Sequence, residues 1–240
     1  MEDDGDDDNV DTALGFMFDA AREKVRSKVE IQGCMFELAA IDDLPGSYQS
    51  GQYLWPAAET LARRLLTDAD WAGMLPAPTS VDTGQPFTVV ELGSGVGLGG
   101  LAAGTRREVG RVIMTDYDPG ALDLIRDNVA HNSAVTGSDK CSAVLCEWGV
   151  RSPDIPQSPL VVGSDLIYAP EVVQPLLAAV DHCLSANGTF VLVSSFDIGT
   201  ESNALFAKTA RELGLAVEEV VCLDYPHVHR VQHLQRADTL

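Results

Sequence analysis

Residues 87–100 read FTVVELGSGVGLGG, and this stretch decides the fold. It begins with an apolar, β-branched run over residues 87–90, which is typical of a buried strand. An acid, Glu91, ends the run, and a glycine-dense turn and a helical pattern over residues 98–105 follow it. A strand, a glycine turn and a helix in this order predict an open α/β sheet that holds a nucleotide-like ligand at the carboxyl ends of its strands.

The glycines of this turn fit two classes of ligand. Gly95-x-Gly97-x-x-Gly100 matches the dinucleotide fingerprint, but Glu91 would then lie near a pyrophosphate, where a second anion is unfavourable. In the other register, Glu91-x-Gly93-x-Gly95-x-Gly97, the acid at the strand end faces a cationic ligand. S-adenosylmethionine is such a ligand, because it carries an ammonium and a sulfonium group and no phosphate. A third interpretation is a turn that only packs a helix against a strand.

Composition narrows the class of protein and its partners. The chain has 240 residues, 45% of them hydrophobic, and a net charge of −20 from 36 acidic and 16 basic residues. This excess of acid disfavours binding to nucleic acid and suits a basic protein partner. No apolar run approaches the roughly 20 residues of a transmembrane helix, so no membrane association is expected. The start of the chain lacks the basic and apolar regions of a secretory signal.

The five cysteines are odd in number and lack CxxC spacing, which indicates a reducing compartment and no zinc site. We therefore expect a cytoplasmic monomer without a metal, with the nucleus as the alternative location. Three parts are predicted: an acidic disordered tail over residues 1–11, a helix and a β-hairpin over residues 12–50, and a ligand-binding domain over residues 51–240. The helix is predicted over Thr12–Arg26, and the hairpin turns at Gly33.

The domain itself is predicted from alternating helices and strands. Pro56 begins a helix that runs to Thr67, and residues 71–86, rich in proline, are predicted as a loop. The helix after the fourth strand is expected to end at Asn187-Gly188. Alternation predicts seven strands in a mostly parallel sheet, with the last strand antiparallel.

The end of the chain carries three histidines on the last predicted strand, His227, His229 and His233. No cysteine or acid cluster accompanies them in the sequence, so they are expected to be exposed strand residues rather than metal ligands.

Four residues after strand ends are candidates for the site. Asp116 lies 19 residues past Gly97, close to the roughly 20 expected for an acid that binds ribose hydroxyls. Asp116 could instead cap the next helix, but Asp118 is better placed for that role. Trp148 lies either against an adenine or in the core. Asp165 and Tyr168, after the fourth strand, are placed to orient an amine and a methyl acceptor, although Asp165 could instead cap the next helix.

Taken together, these segments resemble methyltransferase family 16, the seven-β-strand protein methyltransferases that include calmodulin-lysine and valosin-containing-protein lysine methyltransferases. The resemblance spans roughly residues 28–225 and rests on five segments in order: Gly51…Leu54-Trp55-Pro56-Ala57-Ala58, Glu91-Leu92-Gly93-Ser94-Gly95-Val96-Gly97-Leu98, Thr115-Asp116 with a helix ending near Asn128, Glu147-Trp148-Gly149, and Ser164-Asp165-Leu166-Ile167-Tyr168. The chain departs from the family pattern at two places, and the second of them helps to shape the acceptor side. Ser164 stands where alanine is more frequent, and Ser195-Phe196-Asp197 lacks an expected arginine.

The resemblance implies a Rossmann-like class I methyltransferase sheet with helices on both faces. It also implies that S-adenosylmethionine is the cofactor, S-adenosylhomocysteine the product, and a lysine-bearing protein the partner. Asp165 and Tyr168 would face the acceptor as catalytic residues. The predicted cofactor-binding residues are Trp55, Glu91, Gly93, Ser94, Gly95, Gly97, Asp116, Trp148 and Ser164. For Trp55, packing onto the following helix is an equal alternative.

Other functions remain open at the level of sequence. The chain could methylate a protein histidine or a small molecule, or it could be an NAD-dependent oxidoreductase. The oxidoreductase interpretation lacks a Tyr-x-x-x-Lys or histidine site. A non-catalytic binding module that kept the cofactor fold is the last alternative, and the presence of both Asp165 and Tyr168 disfavours it.

Overall fold

The structure is a computed structural model that describes residues 24–41, 50–75, 86–220 and 230–236. The predicted acidic tail, residues 12–23 of the predicted first helix, and His227 and His229 lie outside the described residues. The last residues of that predicted helix, 24–26, belong instead to the first strand. They pair with residues 39–41 across the hairpin, so a partner strand decided their conformation.

In the part of the chain that the structure describes, seven strands form one central sheet, and two more form the N-terminal hairpin. The hairpin strands are β1 (Lys24–Ile31) and β2 (Cys34–Ile41). The sheet strands are β3 (Phe87–Glu91), β4 (Val109–Asp116), β5 (Cys141–Leu145), β6 (Ser158–Ser164), β7 (Leu184–Ser194), β8 (Leu215–Val220) and β9 (Arg230–Arg236). The strand order in the sheet is β5-β4-β3-β6-β7-β9-β8. The first five strands pair in parallel, and β9 pairs antiparallel with both neighbours, which confirms the predicted fold.

Helices cover both faces of this sheet. They are α1 (Pro56–Leu66), α2 (Asp68–Met74), α3 (Leu98–Gly104), α4 (Pro119–His131), α5 (Ser133–Thr136), α6 (Val173–Cys183) and α7 (Gly199–Glu212). Neighbouring residues of β3 point to opposite cores: Val89 packs with α1 to α4 and the hairpin, and Val90 packs with α6 and α7. This is the pattern of a strand buried on both faces. Within the described ranges, no helix is long and apolar enough to span a membrane.

The predicted loop over residues 71–86 is wrong at its start, because residues 71–74 complete α2. Trp71 is 3% exposed and stacks on Phe87, with ring centroids 5.9 Å apart. The guanidinium of Arg106 lies 4.9 Å from the Trp71 ring centre. Both partners are distant in sequence, so tertiary packing buries this indole and holds the short helix against the sheet.

Two further expectations are corrected at the far end of the sheet. Asn187 and Gly188 do not end a helix, because α6 ends at Cys183 and β7 already runs from Leu184. The pairing of β7 with β6 explains this extension, although its register is irregular near Ser158. His233 is 8% exposed, and burial together with nearby Arg64 lowers the pKa of its imidazole. The expectation that it is exposed was therefore wrong.

Two buried asparagines, Asn128 in α4 and Asn132 directly after it, hold the hairpin on the domain. The Asn128 side chain accepts a hydrogen bond from Ala39 N at 2.6 Å and donates to Ala39 O at 3.0 Å. It also donates to Val96 O at 2.8 Å, which lies in the glycine turn. Asn132, one helical turn later, makes the same pair of bonds to the backbone of Glu37. The two asparagine side chains thus satisfy backbone N–H and C=O groups at the edge of β2. They join the hairpin, α4 and the glycine turn into one unit.

Candidate active site

The glycine turn after β3 presents bare backbone to the carboxyl edge of the sheet. Gly93 and Gly95 have φ of +56° and +55°, a region that side chains with a Cβ rarely adopt. A Cβ on Gly95 would lie 2.9 Å from Gly51 O, and one on Gly93 would lie 3.1 Å from a ring carbon of Trp148. The turn is therefore lined by main-chain atoms and closely approached by two other segments.

Ser94 ties this turn to β4. Its hydroxyl accepts a hydrogen bond from Thr115 N at 2.9 Å and donates to Glu91 O at 3.2 Å. Its own backbone N donates to Thr115 O at 2.7 Å. These bonds fix the spacing between the turn and the end of β4, where Asp116 follows.

The Asp116 carboxylate is held beside the turn by two backbone donors. Gly95 N donates to Oδ2 and Asp118 N donates to Oδ1, both at 3.0 Å. Burial raises the pKa of this carboxyl, and the two hydrogen bonds oppose that rise. Asp118 caps α4 by accepting from Gly120 N at 2.9 Å, as predicted, so Asp116 is not used as a cap. Each Asp116 oxygen keeps a second lone pair, which suits a diol.

Glu91 lies beneath the turn rather than at its open side. Its Oε2 accepts a hydrogen bond from Gly100 N at 2.9 Å, in the first turn of α3. The side chain is 2% exposed, and burial raises the pKa of its carboxyl to about 7. The structure thus brings Glu91 to the helix start, and its contact with a cationic ligand stays a prediction.

An aromatic cavity of about 220 Å³ opens next to Asp116. Its walls include Tyr117, Trp148 and Tyr168, and two carboxyl side chains, Glu147 and Glu171, also line it. Flat apolar walls with a few acceptors suit a purine ring that carries an amino group. Tyr117 was missed at the sequence level, although its position directly after Asp116 was the available signal.

Asp165 is the centre of a second hydrogen-bonded group, after β6. Its Oδ1 accepts from Ser195 N at 2.7 Å, and its Oδ2 accepts from Ser195 Oγ at 2.7 Å and from Ala57 N at 3.3 Å. Burial raises the pKa of this carboxyl. Asp165 therefore caps α1, a helix far earlier in the chain, and not the helix that follows it. Neither Ser195 nor Ala57 was among the predicted site residues, although the segment of Ser195 was expected on the acceptor side.

The remaining predicted residues lie around these two groups. Ser164 is the last residue of β6 and is half-buried between β3 and β7. Trp55 precedes α1 and is half-buried; its ring contacts those of Tyr53 and Phe196. Within the ranges that the structure describes, no three histidine, cysteine or acidic side chains are grouped in a way that could hold a metal ion.

A family model described as "Lysine methyltransferase" matches residues 38–212, which is well over half of the chain. The chain belongs to this lysine methyltransferase family. The resemblance drawn from the five sequence segments is thereby confirmed, and so is S-adenosylmethionine as the cofactor of the fold.

This family member is similar to the EEF1A lysine methyltransferase 3 of Mus musculus. The two chains are 35% identical over 107 residues, which cover 44% of each chain. The histone-arginine methyltransferase METTL23 of Mus musculus is 28% identical over 155 residues, or 62% of this chain and 54% of the relative. The chain spans about half the length of the relatives it matches.

A solved structure shares the fold of this family member. The Thermus thermophilus 16S rRNA N2 G1207 methyltransferase, in complex with AdoMet and guanosine, superposes with a TM-score of 0.62 at 14% identity. The superposition covers 88% of this chain and 50% of that chain.

The residues of this member of the lysine methyltransferase family fit S-adenosylmethionine on their own geometry. The turn at Gly93 and Gly95 offers backbone where a Cβ would collide with neighbouring atoms. Asp116 offers lone pairs beside that turn, and the cavity at Trp148 offers aromatic walls. A dinucleotide would instead bring its pyrophosphate near buried carboxyl groups, which disfavours the alternative glycine register.

Proposed function

We propose that the chain transfers methyl groups from S-adenosylmethionine to a lysine side chain of a protein substrate. The observation that carries the proposal is the adjacency of two groups at the carboxyl edge of the sheet. One group is the glycine turn with Asp116 and the aromatic cavity, and the other is Asp165 with its bonds to α1 and to Ser195. The first suits the cofactor and the second lies where an acceptor would enter.

Each part of the first group has a role in binding. Asp116 would accept hydrogen bonds from the ribose hydroxyls, and Gly93, Gly95 and Ser94 would present backbone to the methionyl part. Tyr117 and Trp148 would hold the adenine. Trp55 and Ser164, at the start of α1 and the end of β6, would bind the cofactor on the side that faces the acceptor.

S-adenosylmethionine, when bound, supplies a methyl group that is already activated by its sulfonium. The chain therefore needs no nucleophile of its own and must position a neutral amine near 3 Å from the methyl carbon. Lysine has an ordinary pKa of about 10.4, so the bound ammonium must lose its proton to water before transfer, and desolvation at the site favours the uncharged amine. Tyr168, beside Tyr117 at the mouth of the cavity, and Asp165 are proposed to act on this side.

Charge around the mouth supports a basic, lysine-bearing protein as the partner. The segments that directly follow β4, β5, β6 and β7, residues 117–118, 146–149, 165–172 and 195–198, carry no basic side chain and five acidic ones. These are Asp118, Glu147, Asp165, Glu171 and Asp197. Such a surface repels the phosphates of nucleic acid and attracts cationic peptide segments.

We extend the proposal to a monomer in the cytoplasm, or in the nucleus. The free thiols of Cys34, Cys141, Cys146 and Cys183 support a reducing compartment.

Calorimetric titration of the chain with S-adenosylhomocysteine, and separately with NADH, tests the cofactor. We expect micromolar binding of the first and none of the second. Asp116→Ala should weaken that binding by about tenfold or more, because charge-assisted hydrogen bonds to the ribose are lost. Asp123→Ala is the matched control, since Asp123 is an exposed acid of α4 that pairs with Arg126. Binding of NADH alone would overturn the assignment.

Transfer is tested with S-adenosylmethionine labelled in its methyl group and a cell lysate as acceptor. Acid hydrolysis of the labelled proteins distinguishes methyllysine from methylarginine and methylhistidine, and methyllysine is expected. Asp165→Ala should abolish transfer while S-adenosylhomocysteine still binds. Loss of both binding and transfer in Asp165→Ala would refute its place on the acceptor side.

A further inference from the structure

Both oxygens of the Asp165 carboxylate are engaged within the chain. Its two oxygens accept three hydrogen bonds, from Ser195 N, Ser195 Oγ and Ala57 N. Its backbone is in the left-handed region, with φ of +53°, and its N donates to Val193 O at 2.9 Å. A non-glycine residue held in this conformation by its surroundings is a fixed junction between segments. It is poorly suited to move with an incoming ammonium group.

This junction aligns two aromatic residues that come from distant segments. Ala57 follows Trp55 by two residues at the start of α1, and Ser195 directly precedes Phe196 after β7. The rings of Trp55 and Phe196 have centroids 6.5 Å apart and an interplanar angle of 56°. Tyr53 meets Trp55 edge-on, with centroids 5.6 Å apart, and supports it from one side.

A pair of rings at this spacing suits a cation. An alkylammonium group is attracted to an aromatic face when it lies within about 6 Å of the ring centre, and one position can satisfy both rings at this separation. Each methyl group added to lysine removes an N–H donor, which weakens a bond to a carboxylate. The attraction to an aromatic face persists, because the positive charge remains. Rings therefore accept every methylation state.

We infer that Trp55 and Phe196, aligned by Asp165 and Ser195, receive the ammonium group of the acceptor lysine, including its methylated forms. Asp165 and Ser195 are then positioning residues that act through the two rings. The inference rests on the proposed lysine methyl transfer and adds to it the way in which the acceptor is recognised.

Nuclear magnetic resonance of the tryptophan indole groups tests this recognition without a known substrate. The ¹⁵N-labelled full chain, saturated with S-adenosylhomocysteine, is titrated with Nα-acetyl-trimethyllysine methyl ester. A neutral isostere with carbon in place of the ammonium nitrogen is titrated in parallel. We expect the Trp55 indole signal to shift and saturate, and the isostere to bind at least about fivefold more weakly. Trp71, 3% exposed and packed on Phe87, is an internal reference that should not move.

Variants separate positioning from simple structural support. Phe196→Leu should weaken the trimethyllysine probe by about fivefold and leave S-adenosylhomocysteine binding unchanged. Ser195→Ala should also weaken the probe, and Ser195→Thr, which keeps the hydroxyl, should restore it. Ser138→Ala is the matched control, because that exposed hydroxyl also faces an aspartate, 3.4 Å away.

The outcomes distinguish the two levels of the proposal. If S-adenosylhomocysteine binds but the Trp55 signal does not move, or the isostere binds equally well, the ring-pair inference is overturned and the proposed function stands. If S-adenosylhomocysteine does not bind, both fall together.

Discussion

Replacement of Glu91 by glutamine should remove a pH dependence of stability that this side chain creates. Glu91 is buried beneath the glycine turn, and burial raises the pKa of its carboxyl from 4.5 to about 7. Between these two values the folded chain keeps a proton that the unfolded chain has lost. Because the native state binds more protons there, the free energy of unfolding falls as the pH rises through this window.

The size of the effect follows from the same two values. At about 1.4 kcal/mol for each pH unit between 4.5 and about 7, the loss of stability amounts to about 3 kcal/mol and is complete above the folded pKa. Glutamine is neutral at every pH, and its carbonyl oxygen can still accept the bond from Gly100 N. Asp116 and Asp165 also have raised pKa values, so the difference between wild type and Glu91→Gln isolates the contribution of Glu91.

Urea unfolding of both proteins at intervals from pH 5 to pH 8 measures this difference. We expect Glu91→Gln to gain about 2.5 kcal/mol relative to wild type as the pH rises across this range, because part of the loss has already occurred at pH 5. Asp123→Asn, which changes an exposed carboxyl, should give a curve parallel to wild type. Parallel curves for wild type and Glu91→Gln would show that the buried carboxyl ionises with an ordinary pKa, and the argument from burial would be wrong.

Two further changes test the turn and the hairpin contact. Gly95→Ala should abolish S-adenosylhomocysteine binding in calorimetry, because its Cβ would lie 2.9 Å from Gly51 O at a φ of +55°. Gly73→Ala, in α2 with open space around it, should leave binding unchanged. If both variants bound S-adenosylhomocysteine equally well, the close approach of Gly51 O to Gly95 would be contradicted. Asn128→Ala should lower the free energy of unfolding in urea by about 3 kcal/mol, since three hydrogen bonds to buried backbone are lost. The exposed Asn187→Ala should cost less than about 0.5 kcal/mol, and a similar loss in both would refute the role of Asn128.

Local patterns in the sequence were sufficient to predict the fold and the class of ligand. The spacing of apolar residues within a single segment is enough to identify it as a strand or a helix, and these segments alternate along the chain. The two closing strands predict the antiparallel end of the sheet. The glycine turn after β3 and the acid after β4 lie at the carboxyl ends of neighbouring parallel strands, so their proximity follows from topology. Asp118 as the cap of α4 was likewise predictable, because a cap depends only on nearby residues.

Contacts between distant segments decided the rest. Trp71 belongs to a helix because Phe87 and Arg106 bury it. His233 is buried near Arg64, which lies far earlier in the chain. No local pattern encodes such packing. Residues 24–26 follow the helical period of the segment before them, yet they form a strand because β2 supplies their partner.

The candidate site divides in the same way. The sequence by itself determined which residues end the strands, and therefore that Asp116, Trp148 and Asp165 share one edge of the sheet. Only the tertiary structure decided what their side chains do there. It directed Asp165 to the start of α1 and to Ser195, and it brought Phe196 to Trp55. The physical reason is that backbone periodicity is a local property, whereas hydrogen-bond partners and ring contacts depend on which segments fold back beside each other.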